Sequence, residues 1–241
     1  MSVKSLAQSL YAVMRRQPWL YDRDHDSMRK GYRYLAHGVL RITTRAAGLR
    51  YRLSSPGGRG EYLNLGSGRT PLPGWINTDI NPFSGADLWM DLRDHWPIED
   101  GTVSVVYSRH CMEHFTEREL SSILRQCYRV LRPGGGIRVG VPCFEIAVNQ
   151  YLSGDFAFAG WLDQSEPKAK TFIRYITDNG NHPILLDFEY LRHILAAAGF
   201  ADVTRKSGGD SNILDVAMLP GGDSPGDWVT LYVEARKPAA S

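Results

Sequence analysis

Glycines and an aspartate with the spacing of a nucleoside-binding site occur early in the chain. Tyr62–Leu65 is a short apolar run that predicts a β-strand. Gly66 and Gly68 follow it, and the lack of a Cβ lets the backbone turn sharply and approach a ligand. Asp79 falls eleven residues after Gly68, where a second parallel strand would end. Parallel strands end at one crevice, so its carboxylate can accept hydrogen bonds from both hydroxyls of a ribose.

Three histidines are candidates for acid–base chemistry, because imidazole titrates near neutral pH. His110 follows the strand-like run 103–107, so we expect it to line the crevice. His114 falls in the next turn, where we expect a structural role. His182 lies at the end of a long insertion. It could reach over a substrate or cap the loop before Pro183.

Residues 110–114 also read His-x-x-Glu-His, the spacing of an inverted zinc-protease motif. Glu189 is a conceivable third ligand. A zinc site of that kind requires the motif to lie within one continuous helix. Here it straddles the end of a strand-like run and precedes a helix that Thr116 opens. We therefore predict no metal site, and a zinc hydrolase is the least favoured function.

The elements that must position these residues follow the pattern of an α/β protein with a doubly wound, mostly parallel sheet of seven strands. The predicted strands are residues 62–65, 75–78, 87–90, 103–107 and 137–141. Thr116 and Glu119 form a capping box that opens a helix ending before Pro133. Another helix is predicted over residues 186–198, ended by Gly199. A closing hairpin is predicted from the runs 202–205 and 228–235.

Residues 144–182 form a long segment of irregular pattern that is rich in aromatic side chains. We expect a loop-rich insertion there. An insertion of this length at the carboxyl end of a strand is usually a lid or a binding region. Aromatic side chains suit stacking on a sugar or on an aromatic ring. The segment is therefore the predicted lid or acceptor-binding region.

Charge divides the 241-residue chain into two parts. Residues 1–60 contain 12 Lys and Arg against 3 Asp and Glu, a charge of +9, and the rest contains 16 against 23, a charge of −7. Pro56–Gly60 marks the boundary. We predict a basic helical arm over residues 1–60 and a catalytic domain over residues 61–241. The arm could pack on the domain or contact an anionic membrane surface, a phosphorylated acceptor or nucleic acid.

The length of the apolar runs and the spacing of the cysteines indicate the cellular compartment. No apolar run reaches the roughly 18 residues that span a bilayer, and the amino terminus lacks a signal-peptide pattern. The three cysteines, Cys111, Cys127 and Cys143, lack the spacing of a zinc finger or a disulfide framework. We therefore expect a cytoplasmic protein, with the arm allowing peripheral contact with a membrane. The oligomeric state is left open.

Several motifs in a fixed order carry a resemblance to one enzyme family. They are Leu63-Asn-Leu-Gly-Ser-Gly68, Gly74-Trp-Ile-Asn-Thr-Asp79, Asp91-Leu92, the segment from Trp96 to His110, Glu113-His114, Arg129-Val-Leu-Arg-Pro-Gly-Gly135 and Ala198-Gly199-Phe200. Over about residues 61–236 the chain resembles the class I S-adenosylmethionine-dependent methyltransferases of the type 11 kind. The resemblance implies their Rossmann-like fold and S-adenosylmethionine as cofactor.

The resemblance also implies roles for individual residues. Leu65–Gly68 would run under the methionine and ribose, and Asp79 would bind the ribose diol. Asp91, with Leu92, would accept from the adenine amino group, and Ser108–His110 would line the floor near the reactive methyl. The predicted cofactor-binding residues are Asn64, Leu65, Gly66, Ser67, Gly68, Asp79, Ile80, Asp91, Leu92 and Ser108.

Two positions depart from the family pattern. Asn64 stands where an acidic residue is common, and Thr70 stands at a small-residue position of the glycine loop. Both affect the contacts expected for the methionine amino group, although an Asn side chain can still accept a hydrogen bond. A nicotinamide-binding fold fits less well, because its third fingerprint glycine would have to be Pro71.

Methyl transfer from a sulfonium mainly requires that acceptor and methyl are held in line and that water is excluded. A hydroxyl acceptor also needs a base, so His110 and His182 are the predicted catalytic residues. We predict O-methylation of a saccharide, a glycan or another small-molecule hydroxyl. The alternative is a nucleic-acid methyltransferase that uses the basic arm. Nucleic acid is the less favoured partner, because no Asn-Pro-Pro-Tyr-like motif follows the fourth strand.

Overall fold

The computed structural model describes residues 61–81, 84–155, 165–218 and 222–239. The predicted basic arm, residues 1–60, lies outside the described residues. The strands belong to a seven-stranded mixed sheet with helices beside it, as predicted. The chain divides into two compact units, residues 1–99 and residues 100–241.

The first unit contains three parallel strands in the order β3-β2-β1. They are β1 (Tyr62–Leu65), β2 (Ile76–Asp79) and β3 (Leu88–Trp89). Leu63 pairs with Ile76, and Thr78 pairs with Leu88. The ten residues between β1 and β2 form turns rather than a helix. Asp79 lies at the carboxyl end of β2.

The second unit contains the other four strands in the order β4-β5-β7-β6. They are β4 (Val103–Arg109), β5 (Leu131–Pro142), β6 (Ala201–Lys206) and β7 (Thr230–Arg236). β4 and β5 are parallel, whereas β7 runs antiparallel to both β5 and β6. The predicted closing hairpin is therefore confirmed.

Strand β5 begins six residues earlier than predicted. The glycine-rich segment after Arg132 was expected to end a helix, but it is part of the strand. A Cβ on Gly135 would lie 2.8 Å from the carbonyl oxygen of Ser104, so only glycine lets the two backbones approach this closely. The pairing with β4 shifts register between Val103 and Val105, and a sequence pattern does not signal such irregular pairing.

Two helices of the second unit were predicted and are present. Helix α1 (Glu117–Val130) begins after Thr116, whose hydroxyl accepts from the Glu119 backbone N–H while the Glu119 carboxylate accepts from the Thr116 N–H. The capping box is thus confirmed, and the helix buries a stripe of apolar residues: Leu120, Ile123, Leu124, Cys127 and Val130. A later helix, Phe188–Ala197, is capped by Asp187 and precedes Gly199, which has a φ of +99°.

The insertion is helical where the structure describes it, so the prediction of a loop-rich segment is wrong there. Helix α2 (Phe144–Ser153) ends at Gly154 in the left-handed conformation, and helix α3 (Lys168–Thr177) follows Pro167. Each of these helices buries one residue fully, Ala147 in α2 and Thr171 in α3. Because neither has a buried apolar stripe, the helical period is not visible in the sequence. The helix Phe188–Ala197 is called α4 below.

The strand cores of each unit are apolar, and the second unit also buries a charged cluster. Arg138 of β5 is fully buried and donates to the carboxylates of Asp223 and Glu234 at 2.7 to 2.9 Å. It also lies over the ring of Tyr232, 4.4 Å from the centroid. This cluster ties β5 to β7 and to the loop that contains Asp223.

Within the described residues, Cys111, Cys127 and Cys143 are buried free thiols. The same ranges contain no helix with the length and apolar character that crossing a membrane requires.

Candidate functional site

The glycine corner lies in the first unit, between β1 and β2. Gly66 and Gly68 have φ angles of +64° and +57°, a conformation that residues with a Cβ rarely adopt. The Ser67 N–H donates to the Thr78 carbonyl at 2.9 Å, which holds the turn against β2. A Cβ built on Gly68 would meet no atom within 4 Å. The space over the turn is therefore open to a ligand.

The carboxylate of Asp79 holds the corner together. Its Oδ2 accepts from the backbone N–H of Gly68 at 2.8 Å, and its Oδ1 accepts from the N–H of Asn81 at 2.6 Å. A carboxylate oxygen has two acceptor sites, so each oxygen keeps one beyond these backbone bonds. Asp79 is half-buried. Its position and remaining acceptor capacity fit the ribose diol that the sequence predicted for it.

The side chain of Asn64, which was predicted to bind the cofactor, makes a hydrogen bond within the protein. Its side chain is buried, and its Nδ2 donates to Oδ1 of Asn77 at 3.0 Å. The Asn77 side chain in turn bonds both backbone groups of Leu72, at 2.7 and 2.9 Å. Asn77 therefore fixes the loop between β1 and β2, a role that sequence reasoning missed. The Asn in the Gly-Trp-Ile-Asn-Thr-Asp motif was the available signal.

Asp91 lies two residues after β3 and is buried. Its Oδ1 accepts from Nε of Arg93 at 2.9 Å and its Oδ2 accepts from Nη2 of Arg93 at 2.7 Å. This ion pair was not predicted. With the Arg93 backbone N–H on Oδ1 at 3.0 Å and a second bond from Nε to Oδ2 at 3.2 Å, each oxygen accepts two hydrogen bonds from Arg93. Leu92 is buried, whereas Ile80 is half exposed. Contacts of these residues with adenine stay a prediction.

At the end of β4 the second unit presents Ser108, Arg109 and His110. Ser108 is fully buried and its hydroxyl oxygen has no hydrogen-bond partner in the structure. His110 has a φ of +51° and its N–H donates to the Gly140 carbonyl at 2.8 Å. A left-handed conformation at a residue other than glycine is uncommon and clusters at functional sites. The turn at His110 changes the direction of the chain at the carboxyl end of β4.

The imidazole of His110 is held from two sides. Its Nε2 lies 3.0 Å from Oγ1 of Thr230, and its Nδ1 lies 3.5 Å from Oε1 of Glu113. The Thr230 hydroxyl donates to Asp227 at 2.8 Å, so its oxygen can only accept and Nε2 carries a proton. His110 is therefore oriented by Thr230 and Glu113, neither of which was predicted as a site residue.

Arg109 pairs with the carboxylate of Asp227. Its Nη2 donates to Oδ2 of Asp227 at 2.8 Å and its Nε donates to the hydroxyl of Tyr232 at 2.9 Å. Burial alone would raise the pKa of Asp227, but hydrogen bonds from Tyr232, Arg109 and Thr230 outweigh it and hold that pKa below its usual value. Burial first, and then the bond to Asp227, raises the pKa of the Tyr232 hydroxyl. The ion pair of Arg109 and Asp227 therefore lies beside His110.

A cavity that is partly open to solvent lies within the second unit. The lining residues come from the turn that contains Glu113, the end of β5, the insertion and the segment before α4. They are Glu113, Val141, Pro142, Cys143, Phe144, Tyr175, Ile176, His182, Ile184, Leu185 and Leu186. Burial raises the pKa of the Tyr175 hydroxyl to about 12. Four lining residues belong to the predicted acceptor region 144–182. Of the two predicted catalytic histidines, only His182 lines the cavity.

His114 and His182 lie against each other, with ring centroids 4.8 Å apart in an edge-to-face arrangement. Nδ1 of His114 lies 3.2 Å from the Asn181 carbonyl, and Nδ1 of His182 lies 3.0 Å from the Ile176 carbonyl. The His-x-x-Glu-His sequence straddles the end of β4 and a 3₁₀ turn at Met112–His114. As predicted, the motif therefore does not lie within one continuous helix.

A family model described as "Methyltransferase domain" matches residues 85–139. The comparison with curated proteins found no match. Among solved structures, a protein of Archaeoglobus fulgidus described as a SAM-dependent methyltransferase is similar at 17% identity and a TM-score of 0.47, covering 86% of this chain and 100% of that chain.

Two further solved structures show similar values. A protein of Bordetella parapertussis described as a possible exported protein has 16% identity and a TM-score of 0.46, covering 84% of this chain and 70% of that chain. Phosphoethanolamine N-methyltransferase 2 of Haemonchus contortus, in complex with S-adenosyl-L-methionine, has 15% identity and a TM-score of 0.45, covering 82% of this chain and 52% of that chain.

The matched segment contains β3, β4, α1 and the first part of β5. The Gly66–Gly68 turn and Asp79 precede it, and Gly199 follows it. The family match covers 55 of the 241 residues, and the mixed seven-stranded sheet agrees with the fold of the class I S-adenosylmethionine-dependent methyltransferases that the chain resembles.

Proposed function

We propose that this methyltransferase acts on a hydroxyl of a saccharide or another small molecule. The cavity lined by His182 and Tyr175 carries the proposal, because of the chemistry of its lining side chains. Its lining combines apolar and aromatic side chains with the polar groups of Glu113 and His182. A few polar groups in an apolar pocket are typical of a site that orients a small ligand.

The residues of the first unit fit the methyl donor. The open space over Gly68 and the remaining acceptor sites of Asp79 suit a nucleoside, with Asp79 on the ribose diol. When bound, S-adenosylmethionine would supply an electrophilic methyl group, which bonds to the acceptor oxygen as the carbon–sulfur bond breaks and S-adenosylhomocysteine leaves. The chain contributes position and exclusion of water, and few catalytic groups are needed.

A hydroxyl acceptor must lose its proton as its oxygen bonds to carbon. His182 suits this step better than His110. Its Nδ1 donates to the Ile176 carbonyl, so the neutral ring presents its lone pair at Nε2. The Nε2 of His110 donates to Thr230 instead, and that ring does not line the cavity. We assign proton removal to the side of the cavity that contains His182.

The insertion forms the acceptor site in this proposal. Helices α2 and α3 pack through Ala147 against Phe172, Tyr175 and Ile176. This packing fixes the Tyr175 and Ile176 side chains in the cavity wall. The function of the basic arm, residues 1–60, stays a prediction. Binding of nucleic acid through that arm is the alternative function, and no contact among the described residues favours it.

An acceptor screen tests the proposal. The enzyme is incubated with S-adenosylmethionine that contains a deuterated methyl group and with panels of sugars, phenols, amines and oligonucleotides. We expect a labelled methyl ether of a hydroxyl compound, together with an equal amount of S-adenosylhomocysteine. Labelled amines or nucleotides, with no labelled ether, would refute the hydroxyl acceptor while leaving the methyltransferase assignment intact.

A further inference from the structure

We propose that Glu113, His114 and His182 bind one divalent cation of the zinc type. In the described part of the chain, these three residues form a group in which one ligand atom of each lies within 4.8 Å of the others. Two imidazoles and one carboxylate are the donor set of many three-ligand zinc sites. All three residues belong to the second unit, and two of them line the cavity.

The protonation of the two imidazoles favours metal binding. A backbone carbonyl only accepts hydrogen bonds, so Nδ1 of His114 donates to Asn181 and Nδ1 of His182 donates to Ile176. Each neutral ring therefore has its lone pair on Nε2. Metal-binding histidines almost always donate their other ring N–H to a carbonyl or carboxylate, which fixes the tautomer. Both rings thus have the outer hydrogen bond that a ligating histidine needs.

The carboxylate of Glu113 provides an independent observation. The residue is only 3% exposed, and its Oε2 has no hydrogen-bond partner in the structure. Its Oε1 faces Nδ1 of His110 at 3.5 Å, which leaves Oε2 as the uncompensated atom. A buried carboxylate oxygen without a partner is costly. A cation held between Glu113 and the two imidazoles would remove this cost.

Coordination requires the three side chains to move closer together. Zinc binds nitrogen and oxygen at about 2.0 to 2.2 Å, so the ligand atoms of a tetrahedral site lie roughly 3.3 Å apart. Ligand atoms within 4.8 Å approach this through side-chain rotation of His114, which is exposed, and His182, which is half-buried. Three protein ligands leave one position open toward the cavity. Open positions distinguish catalytic zinc sites from structural ones.

This site differs from the inverted zinc-protease arrangement. His110, the first residue of that motif, has its Nε2 on Thr230 and is not a member of the group. Glu189 is exposed in the first turn of α4 and is not a member either. His182 takes the place of both, and it is 68 residues from His114 in the sequence. A catalytic role for the cation rests on the proposed function: an acceptor hydroxyl at the open position would release its proton to solvent more readily.

Metal binding is tested on the full-length chain. The protein is treated with a chelator, dialysed and titrated with Co²⁺, whose visible absorption reports tetrahedral coordination, and then with Zn²⁺ in competition. We expect one equivalent of Co²⁺, displaced by one equivalent of Zn²⁺. Glu113→Gln and His182→Ala should each weaken binding at least about tenfold to a hundredfold. His193→Ala, which removes an exposed histidine of α4, should leave it unchanged.

Binding of S-adenosylhomocysteine to the same variants shows that they are folded. His114→Gln serves as a second ligand variant if His182→Ala fails to fold. Absence of a tetrahedral Co²⁺ spectrum, or binding that the ligand variants do not weaken, would overturn the metal site. Methyl transfer by metal-free enzyme would leave the proposed function standing and assign proton removal to His182 itself.

Discussion

The backbone N–H of Gly68 donates to Oδ2 of Asp79 at 2.8 Å, so the turn after β1 is bonded directly to the end of β2. Gly68 itself has a φ of +57°, a conformation that residues with a Cβ rarely adopt, so this turn favours glycine. The same carboxylate is thereby fixed in orientation before any ligand binds. Preorganisation of this kind reduces the entropy lost on binding.

Asp79→Asn should remove most of the stabilisation that S-adenosylhomocysteine gives. The amide replaces one acceptor oxygen by a donor that faces a backbone N–H, and it leaves a single acceptor for the ribose. At a ligand concentration of about 100 times Kd, binding stabilises a protein by about 2.7 kcal/mol. Thermal unfolding with and without ligand measures the effect. Asp202→Asn removes an exposed carboxylate of the same type and should keep the full ligand-induced shift in Tm.

Tyr175→Ala should raise the KM for the acceptor and leave the affinity for S-adenosylhomocysteine unchanged. The ring lies in the cavity wall and packs near Ala147. An aromatic contact contributes about 0.5 to 1.5 kcal/mol beyond its area, which corresponds to roughly a twofold to tenfold change in KM. Steady-state kinetics and calorimetry give the two quantities. Equal weakening of both ligands would show that the residue supports the fold rather than the acceptor site.

The buried cluster around Arg138 should contribute far more to stability than the ion pair at the surface. Asp223→Ala leaves the buried guanidinium without one carboxylate, a change that costs roughly 3–5 kcal/mol. Asp100→Ala breaks the pair of Arg129 with an exposed carboxylate, and such pairs contribute about 0–1 kcal/mol. Urea unfolding of the two variants measures the difference. Similar midpoints for both would contradict the account of the cluster.

Asp227→Asn should destabilise the protein in a pH-dependent manner. The pKa of Asp227 is lowered in the folded state, so its charged form stabilises the fold above the unfolded-state pKa. This contribution is lost as the pH falls through the lower, folded-state pKa. The difference in unfolding free energy between wild type and variant should therefore be largest at neutral pH and narrow below about pH 4. Urea titrations at several pH values test this, and a constant difference would contradict it.

Local patterns predicted much of the fold. The capping box of Thr116 and Glu119, the apolar runs of the strands and the stop at Gly199 are signals that act within a few residues, and all three agree with the structure. Helices α2 and α3 were missed because their packing depends on single buried residues. Gly154 and Pro167 were the available signals.

The site was less predictable because its contacts join distant residues. The glycine corner was predicted, since both of its parts lie within fourteen residues. The Arg109–Asp227 pair and the group of Glu113, His114 and His182 join residues 68 or more positions apart. No spacing rule connects such residues. Arg93 on Asp91 was missed for another reason, since a pair two residues apart meets only in a turn.

Calorimetric titration of the full-length chain with S-adenosylhomocysteine tests the central claim most directly. A class I methyltransferase with the Gly66–Gly68 turn and the carboxylate of Asp79 should bind one equivalent per chain, and Asp79→Asn should abolish or strongly weaken that binding. Absence of binding by the intact protein, at ligand concentrations up to about 1 mM where a Kd corresponds to about −4.1 kcal/mol, would contradict the account.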